Sequence, residues 1–199
     1  MEIIKQSPKA LTKAVAILKK GGVVICPTDT IYGFLADASN KKAVEKIYKI
    51  KKRPKAKPLP VFVKDMNMAK ELALIDDRQE RIIKRYWPGK YTFVLKAKRR
   101  PDLLLSLRKI SGRSGFPQTI ALRIPKYKLL NDLLKKINKP LAQTSVNISG
   151  RPPLTKIDSI VKIIAMSDIA ILLIDGGDLK KGKPSRIIDL SGKRLTRLR

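Results

Sequence analysis

Short apolar segments interrupted by glycine and proline constrain the fold of this chain more than any other feature of its sequence. The interruptions include Gly21-Gly22, Pro54 and the turn Trp87-Pro88-Gly89. Because short apolar runs suit buried strands and longer amphipathic runs suit helices, the pattern predicts a globular α/β (α+β) fold. A length of 199 residues fits one domain, which we expect to span residues 1–199.

Local signals place the predicted elements. The first helix follows the N-cap Ser7 and ends at Gly21-Gly22, and the second follows the N-cap Asn40 and ends before Pro54. Further helices are predicted at 66–74, 77–86, 126–137 and 157–165. Strands are predicted at 23–26, 31–36, 59–63, 91–97, 119–124, 141–145, 169–175, 186–190 and 195–198. Many neighbouring strands are joined by turns, so a mixed sheet is favoured over a parallel one.

Polar and basic residues concentrate in four loops that follow strands or helix ends. These loops are 27–30, 51–58, 145–155 and 176–186, and residues 98–118 form a further basic loop that we expect to be mobile. If the four loops converge, they create a polar, cationic pocket.

The charge balance indicates a polyanionic partner. The chain has 45 Lys and Arg against 16 Asp and Glu, a formal charge of +29, which suits phosphates, nucleic acid or an acidic membrane surface. It has no histidine and one cysteine, Cys26, which excludes an internal disulfide and a Ser/His or Cys/His nucleophile pair. We find neither a membrane-spanning run nor a signal peptide, and therefore expect a cytoplasmic protein without membrane contacts.

Lys51 and Arg53 admit two interpretations. Cations at the C-terminal end of a helix are favoured by its dipole, and this structural role is the more common one. Alternatively, the two side chains converge on one anion, because Pro54 stiffens the loop that follows them.

Other candidates are similarly open. Thr28, Asp29 and Thr30 suit a simple turn or a site with hydroxyls and one carboxylate. Ser145 and Asn147 lie in a segment whose residue types are common in any tight loop, so they suit either a simple loop or a site. Arg123 alternates with apolar residues along a strand, so it is predicted to be partly buried and to require an anionic partner.

Six motifs, taken together, resemble one family. They are PTDTIYG at 27–33, KKRP at 51–54, TIALRIP at 119–125, TSVNISG at 144–150, DGG at 175–177 and SRIIDL at 185–190. Their order and spacing resemble the YrdC/Sua5/TsaC family of threonylcarbamoyl-AMP synthases over essentially the whole chain, in the short TsaC-like form. The resemblance implies a YrdC-like fold, a twisted mixed sheet flanked by helices with a cationic concave face.

The resemblance also implies a reaction and its partners. L-Threonine, bicarbonate or CO2, and ATP would give threonylcarbamoyl-AMP and pyrophosphate, a nucleotidyl transfer that supplies tRNA threonylcarbamoyladenosine modification. Mg2+ would accompany ATP, held mainly by substrate oxygens and water rather than by protein metal ligands. A downstream tRNA threonylcarbamoyl transferase complex would receive the product, and the basic surface would contact tRNA or other RNA.

The resemblance assigns roles to individual residues. Implied catalytic residues are Lys51, Arg53, Ser145 and Asn147; implied ATP-binding residues are Lys51, Arg53, Lys57, Thr119, Asn147, Thr155 and Arg197; implied threonine-binding residues are Thr30, Phe62, Arg123, Ser145 and Ser185. The chain departs from the family pattern at Lys57, where many members have asparagine, at Phe62, where many have histidine, and at Arg186, where threonine is usual.

A second hypothesis comes from a different functional class. The same fold could bind tRNA or ribosomal RNA through its basic concavity without synthase turnover. The presence of both the Lys51/Arg53 and the Ser145/Asn147 pairs favours the synthase.

Overall fold

The computed structural model describes residues 2–98, 118–165, 167, 169–180, 182–192 and 194–198. The described strands are β1 (Glu2–Lys5), β2 (Val23–Cys26), β3 (Gly33–Asp37), β4 (Val61–Phe62), β5 (Ala73–Leu74), β6 (Tyr91–Ala97), β7 (Thr119–Arg123), β8 (Leu141–Ser145), β9 (Ile171–Asp175), β10 (Arg186–Asp189) and β11 (Thr196–Arg197). The described helices are α1 (Pro8–Lys19), α2 (Lys41–Lys51), α3 (Met66–Leu72), α4 (Asp77–Lys84), α5 (Lys128–Ile137) and α6 (Ile157–Ala165).

The strands form one mixed sheet. Its order is β1-β9-β2-β3-β8-β4-β7-β6-β10-β11, and β5 pairs with β6 beside this path. The pairs β1/β9, β2/β9, β4/β7 and β6/β10 are parallel, and the other strand pairs in the described sheet are antiparallel. The prediction of a mixed sheet is confirmed.

Side-chain caps fix where the helices begin. The Ser7 side chain accepts a hydrogen bond from Ala10 N, and the Asn40 side chain accepts one from Ala43 N, as their positions before apolar stripes predict. Helix α2 ends where Lys52 adopts a left-handed conformation with φ of 49°. The carbonyl-rich end of α2 therefore points into the 51–58 loop.

Apolar side chains pack on both faces of the sheet. Along β2, Val23 and Ile25 belong to one buried cluster, whereas Val24 and Cys26 belong to the other. Helices α2, α3, α4 and α6 cover the first face, and α1 and α5 cover the second. Cys26 is thus a core residue, as its apolar neighbours predict, and burial raises the pKa of its thiol to about 12.

Several predicted boundaries are corrected. The predicted helix 66–74 ends at Leu72, because Ala73 is extended and pairs with Ala97 of β6. The predicted helix 126–137 begins at Lys128, and strand pairing within 59–63 is confined to Val61–Phe62. Strand β1 was not predicted, since its largely exposed residues give no alternating pattern and its order depends on distant β9. Of the predicted loop 98–118, residues 99–117 lie outside the described residues.

In the described parts of the chain, no helix has the length and apolar character needed to span a membrane.

Candidate functional site

The four predicted loops converge on a single cavity of about 450 Å3. Its floor comes from neighbouring strands, with Val94, Ala121, Gln143 and Ile187 on the sheet face that also carries α1 and α5. Its described walls are Thr28, Thr30, Ile31, Tyr32, Gly33, Arg53, Pro58, Pro60, Arg123, Thr144, Ser145, Asn147, Arg151, Pro153, Pro184, Ser185 and Leu198. Residues from 27–30, 51–58, 145–155 and 176–186 are all represented, so the four loops do converge.

The PTDT segment forms a side-chain turn at one wall. The hydroxyl of Thr28 accepts hydrogen bonds from Thr30 N at 3.0 Å and Ile31 N at 3.2 Å, and it donates to Ile31 O at 2.7 Å. It also lies 3.0 Å from the hydroxyl of Thr30. The turn therefore holds the Thr30 hydroxyl beside the cavity, which unites the structural and functional interpretations of this segment.

Arg123 is buried beside this turn with a carboxylate partner. Only 1% of its surface is exposed, and its Nη2 donates to Asp29 Oδ1 at 2.5 Å while its Nε donates to Gly89 O at 2.8 Å. The second oxygen of Asp29 accepts from Lys126 N at 3.2 Å. The predicted need for an anionic partner is confirmed, and that partner is Asp29.

Phe62 supports Arg123 from within the core. The guanidinium carbon lies 5.5 Å from the centroid of the Phe62 ring, within the range of a cation–π contact. Phe62 is fully buried and is not among the described residues that line the cavity. Phe62, predicted to touch threonine, is thus placed beside Arg123 on the neighbouring strand.

Lys51 and Arg53 point in different directions. Lys51 is 1% exposed, and its Nζ donates to Ser145 O at 2.5 Å, to Asn147 O at 3.0 Å and to Asn147 Oδ1 at 2.6 Å. Burial, with a smaller contribution from the charge of Arg53, lowers the pKa of Lys51 to about 7. Arg53 instead lines the cavity, and its Nε and Nη2 donate to Lys57 O at 3.0 Å and Pro58 O at 3.1 Å.

The Ser145/Asn147 pair is locked by hydrogen bonds. Ser145 Oγ donates to Asn147 Oδ1 at 2.7 Å, and Asn147 Nδ2 donates to Ile148 O at 2.9 Å and to Arg151 O at 2.5 Å. Both residues line the cavity. These hydrogen bonds hold the loop after β8 in one conformation.

Ser185 and Ile187 of the SRIIDL segment line the cavity, whereas the DGG turn lies outside the described lining. Tyr32 OH donates to Gly177 O at 2.7 Å and accepts from Gly176 N at 3.0 Å, which ties the DGG turn to β3. Ser185 is 5% exposed, and its hydroxyl lies 3.0 Å from that of Thr92. A Cβ at Gly182 would overlap the carbonyl oxygen of Thr30, so this close approach requires glycine.

Other predicted site residues lie outside the described cavity lining. These are Lys57, Thr119, Thr155 and Arg197. Lys57 contributes its backbone oxygen to Arg53, and Arg197 lies on exposed β11 beside the lining residue Leu198. Arg186, a departure from the family pattern, donates to Tyr91 OH at 2.8 Å on the outer surface.

Arg151 is a cavity residue that sequence reasoning did not select. It follows the Ser145/Asn147 pair in a loop rich in glycine and proline, and that position was the available signal. With Arg53 and Arg123 it gives the lining three arginines, of which Arg123 is paired with Asp29. The cationic character of the whole concave face stays a prediction.

Known proteins match this chain over most of its length. The Sua5/YciO/YrdC family model, described as "Telomere recombination", matches residues 16–199. A Vibrio vulnificus protein named threonylcarbamoyl-AMP synthase is 30% identical over 191 residues, which cover 94% of this chain and 97% of the relative. A Bacillus subtilis protein of the same name is 34% identical over 179 residues.

A solved structure with the same fold contains an amino acid. Pyrococcus abyssi Sua5, in complex with L-threonine, superposes with a TM-score of 0.83 at 27% identity, covering 100% of this chain and 56% of that one. The chain covers 49% of the Bacillus subtilis relative, so it spans about half the length of the longer proteins that it matches.

Proposed function

Since this chain belongs to the Sua5/YciO/YrdC family, we propose that it is a threonylcarbamoyl-AMP synthase. Its substrates would be L-threonine, bicarbonate or CO2, and ATP, and its chemistry a nucleotidyl transfer. The observation that carries the proposal is one cavity lined by the hydroxyls of Thr30, Ser145 and Ser185 together with three arginines. A polar amino acid and a nucleoside triphosphate need these two kinds of partner.

The proposed reaction has two bond-forming steps. The threonine amine attacks CO2, forming a C–N bond and releasing a proton, and this gives an N-carboxylate. An oxygen of that carboxylate attacks the α-phosphorus of ATP, so a P–O bond forms while the bond to pyrophosphate breaks. When bicarbonate supplies the CO2, one water leaves. No side chain serves as the nucleophile, which agrees with a sequence without histidine.

The protein would contribute position and charge. Arg53 is proposed to bind phosphate oxygens, and Thr30, Ser145 and Ser185 to orient threonine. The threonine carboxylate would share Arg123 with Asp29, whose ion pair fixes the guanidinium in advance. Lys57, Thr119, Thr155 and Arg197 remain proposed nucleotide contacts on the periphery.

Mg2+ would arrive with the nucleotide. The described cavity lining offers hydroxyl and amide oxygens without a carboxylate, and the described residues contain no group of three potential His, Cys, Asp or Glu ligands. Such a lining fits an ion held mainly by phosphate oxygens and water. The bound ion would offset phosphate charge, and the side chains of the chain itself would bind and orient the reactants.

A pyrophosphate assay tests the function. The protein is incubated with threonine, bicarbonate and ATP, and pyrophosphate and threonylcarbamoyl-AMP are measured. Threonine should support much faster release than valine, its near-isostere without a hydroxyl, because polar groups left unmatched in the pocket are costly. Equal release with the two amino acids would contradict the assignment.

RNA contact is a separate proposal. An open groove along α2 is lined by Lys42, Lys46, Lys49 and Lys55 together with Glu45 and Tyr48, and it shares Arg53 with the cavity. Its excess of positive charge suits tRNA, which a cytoplasmic tRNA threonylcarbamoyl transferase complex would modify. Affinity for tRNA should fall steeply with salt, whereas threonine-dependent turnover should change much less. A flat salt dependence would remove this explanation of the surface charge.

A further inference from the structure

The three hydrogen bonds of Lys51 account for every N–H of a lysine ammonium. Its Nζ contacts Ser145 O, Asn147 O and Asn147 Oδ1 within 3.0 Å, and a protonated amine has three donors. Backbone adds a fourth link between the same segments, since Ser149 N donates to Lys51 O at 2.8 Å. Any contact of Lys51 with a phosphate would have to break bonds made in a buried setting, where unmade bonds are costly.

Lys51 also approaches the loop from the side away from the cavity floor. Its Nζ lies 5.9 Å from the ring of Phe34, which belongs to the cluster packed under α2. The cavity floor, including Ala121 and Gln143, lies on the other face of the sheet. Lys51 is accordingly not among the described lining residues, although Ser145 and Asn147 are.

A continuous chain of hydrogen bonds runs from Lys51 to Arg151. Lys51 Nζ donates to Asn147 Oδ1, and the amide nitrogen of the same side chain donates to Arg151 O at 2.5 Å. Arg151 N in turn donates to Ile148 O at 3.0 Å. The amide of Asn147 thus transmits the position of Lys51 to the backbone that carries the Arg151 side chain into the lining.

We propose that Lys51 is a positioning residue, which holds the 145–151 loop so that Arg151 supplies the second cation, beside Arg53, for the anionic part of the substrate. The proposal rests on the proposed function for the identity of that anion, the triphosphate of ATP. The two basic residues then have different roles: Arg53 acts at the cavity, and Lys51 acts through the 145–151 loop.

A double-mutant cycle on ATP affinity tests the coupling. Lys51→Met removes the amine with little change in side-chain length, Arg151→Ala removes an exposed guanidinium, and Lys52→Asn is the matched control on the neighbouring exposed lysine. Binding of Mg-ATP is measured by calorimetry without threonine, so the readout needs no turnover. Arg151→Ala should weaken ATP binding by about tenfold, the equivalent of one lost charged contact.

The two possible roles of Lys51, positioning Arg151 or binding phosphate itself, predict different results in the double-mutant cycle. If Lys51 acts through Arg151, Lys51→Met weakens binding several-fold in the wild-type background and has almost no further effect beside Arg151→Ala. If Lys51 itself binds phosphate, the two effects multiply, and the proposal is overturned. An Arg151→Ala variant with wild-type affinity also overturns it, and this variant changes a side chain that is exposed.

Hydrogen exchange separates this inference from the proposed function. In the protein without ligand, the amides of Ser149 and Arg151 should exchange faster in Lys51→Met and at the wild-type rate in Lys52→Asn. Unchanged exchange in Lys51→Met would show that Lys51 does not hold the loop. Faster exchange and coupled ATP affinities, in a protein that releases no pyrophosphate, would retain the positioning role and reject the synthase.

Discussion

Two walls of the cavity are each organised by a buried cation, Arg123 within the lining of the first and Lys51 behind the lining of the second. The two cations are stabilised in different ways. Arg123 is paired with the carboxylate of Asp29, whereas the three hydrogen bonds of Lys51 Nζ go to uncharged oxygens of the 145–147 segment. In the first wall the carboxylate of Asp29 opposes the charge of the guanidinium, and the guanidinium stays charged because arginine does not lose its proton in proteins. The positive charge at the second wall depends on pH, because burial lowers the pKa of Lys51 to about 7.

The difference bears on how each wall can serve a ligand. A substrate carboxylate at the first wall meets a guanidinium that is already oriented by Asp29 and Gly89. This guanidinium therefore fixes the orientation of the carboxylate but supplies little net positive charge. At the second wall, the charge of Lys51 shapes a loop whose Ser145 and Asn147 side chains face the cavity. Lys51 thus organises the site from behind the lining, whereas Arg123 belongs to the lining within its ion pair with Asp29. Arg53 and Arg151 are the other two arginines of the described lining.

The largest expected effect comes from removing the carboxylate that pairs with Arg123 in the first wall. Asp29→Ala leaves the buried guanidinium of Arg123 without its carboxylate, and we expect the free energy of unfolding to fall by about 3–5 kcal/mol. Urea titration measures the loss. The double variant Asp29→Ala/Arg123→Met should recover much of it, since the buried guanidinium is then absent together with its carboxylate. A loss below about 1 kcal/mol in Asp29→Ala would indicate that water or another group replaces the carboxylate.

The next largest effect concerns Arg53, which lines the cavity. Arg53→Ala should lower threonylcarbamoyl-AMP formation by on the order of 10², the scale for loss of one preorganised charge-stabilising donor. Arg53→Lys should recover only part, because an ammonium cannot reproduce two parallel contacts to phosphate oxygens. The rate is measured at saturating ATP and below its KM. Equal rates for Arg53→Ala and the control Lys52→Asn would indicate that the basic residues of the 51–58 segment are only solvated surface charges.

Much of the framework could be predicted because it depends on local signals. Strand β6 (Tyr91–Ala97) and strand β8 (Leu141–Ser145) have the predicted bounds, and the caps Ser7 and Asn40 start their helices as predicted. The motif loops met at one cavity because strand and helix ends on one edge of a sheet are brought together by the fold. Local sequence signals were enough for the strands and the helix caps, whereas the meeting of the loops depends on the fold.

The remaining features depend on distant partners. Lys51 follows the helix face of Ile47, but a lysine at a helix end is usually solvated, and only the 145–147 acceptors explain its burial. Strand β1 is ordered by β9, which lies far along the chain. Arg151 gave a weak signal, because its place in the lining depends on the hydrogen bonds of Asn147.

A smaller effect tests whether the charge of Lys51, unlike that of Arg123, depends on pH. The pKa of Lys51 is about 7 in the folded protein against an ordinary value of 10.5. Between these values the unfolded chain keeps a proton that the folded protein releases, so this group makes the free energy of unfolding rise with pH. Below pH 7 both states are protonated and the full cost of burying the charge remains.

The measurement compares wild type with Lys51→Met by urea titration at pH 7 and pH 9. Other titrating groups are common to the two proteins, so the difference isolates Lys51. Wild type should gain roughly 2 kcal/mol relative to the variant over this interval. A pH-independent difference would show that the three acceptors hold the ammonium form throughout, and the second wall would then be as fixed in charge as the first.

The smallest expected effect tests whether direction, rather than charge, separates Lys51 from its neighbour. Lys52 carries the same charge one residue later, but its side chain is exposed and its backbone is left-handed, with φ of 49°. Asparagine tolerates that conformation, so Lys52→Asn removes the charge without adding backbone strain. We expect a change within about 0.5 kcal/mol in the free energy of unfolding and an unchanged rate of pyrophosphate release. Because salt screens exposed charges, both results should hold from low to physiological ionic strength. A rate loss in Lys52→Asn that vanishes at high salt would mean that the general positive field of α2 recruits ATP, and the distinction between the buried and exposed cations would lose its functional meaning.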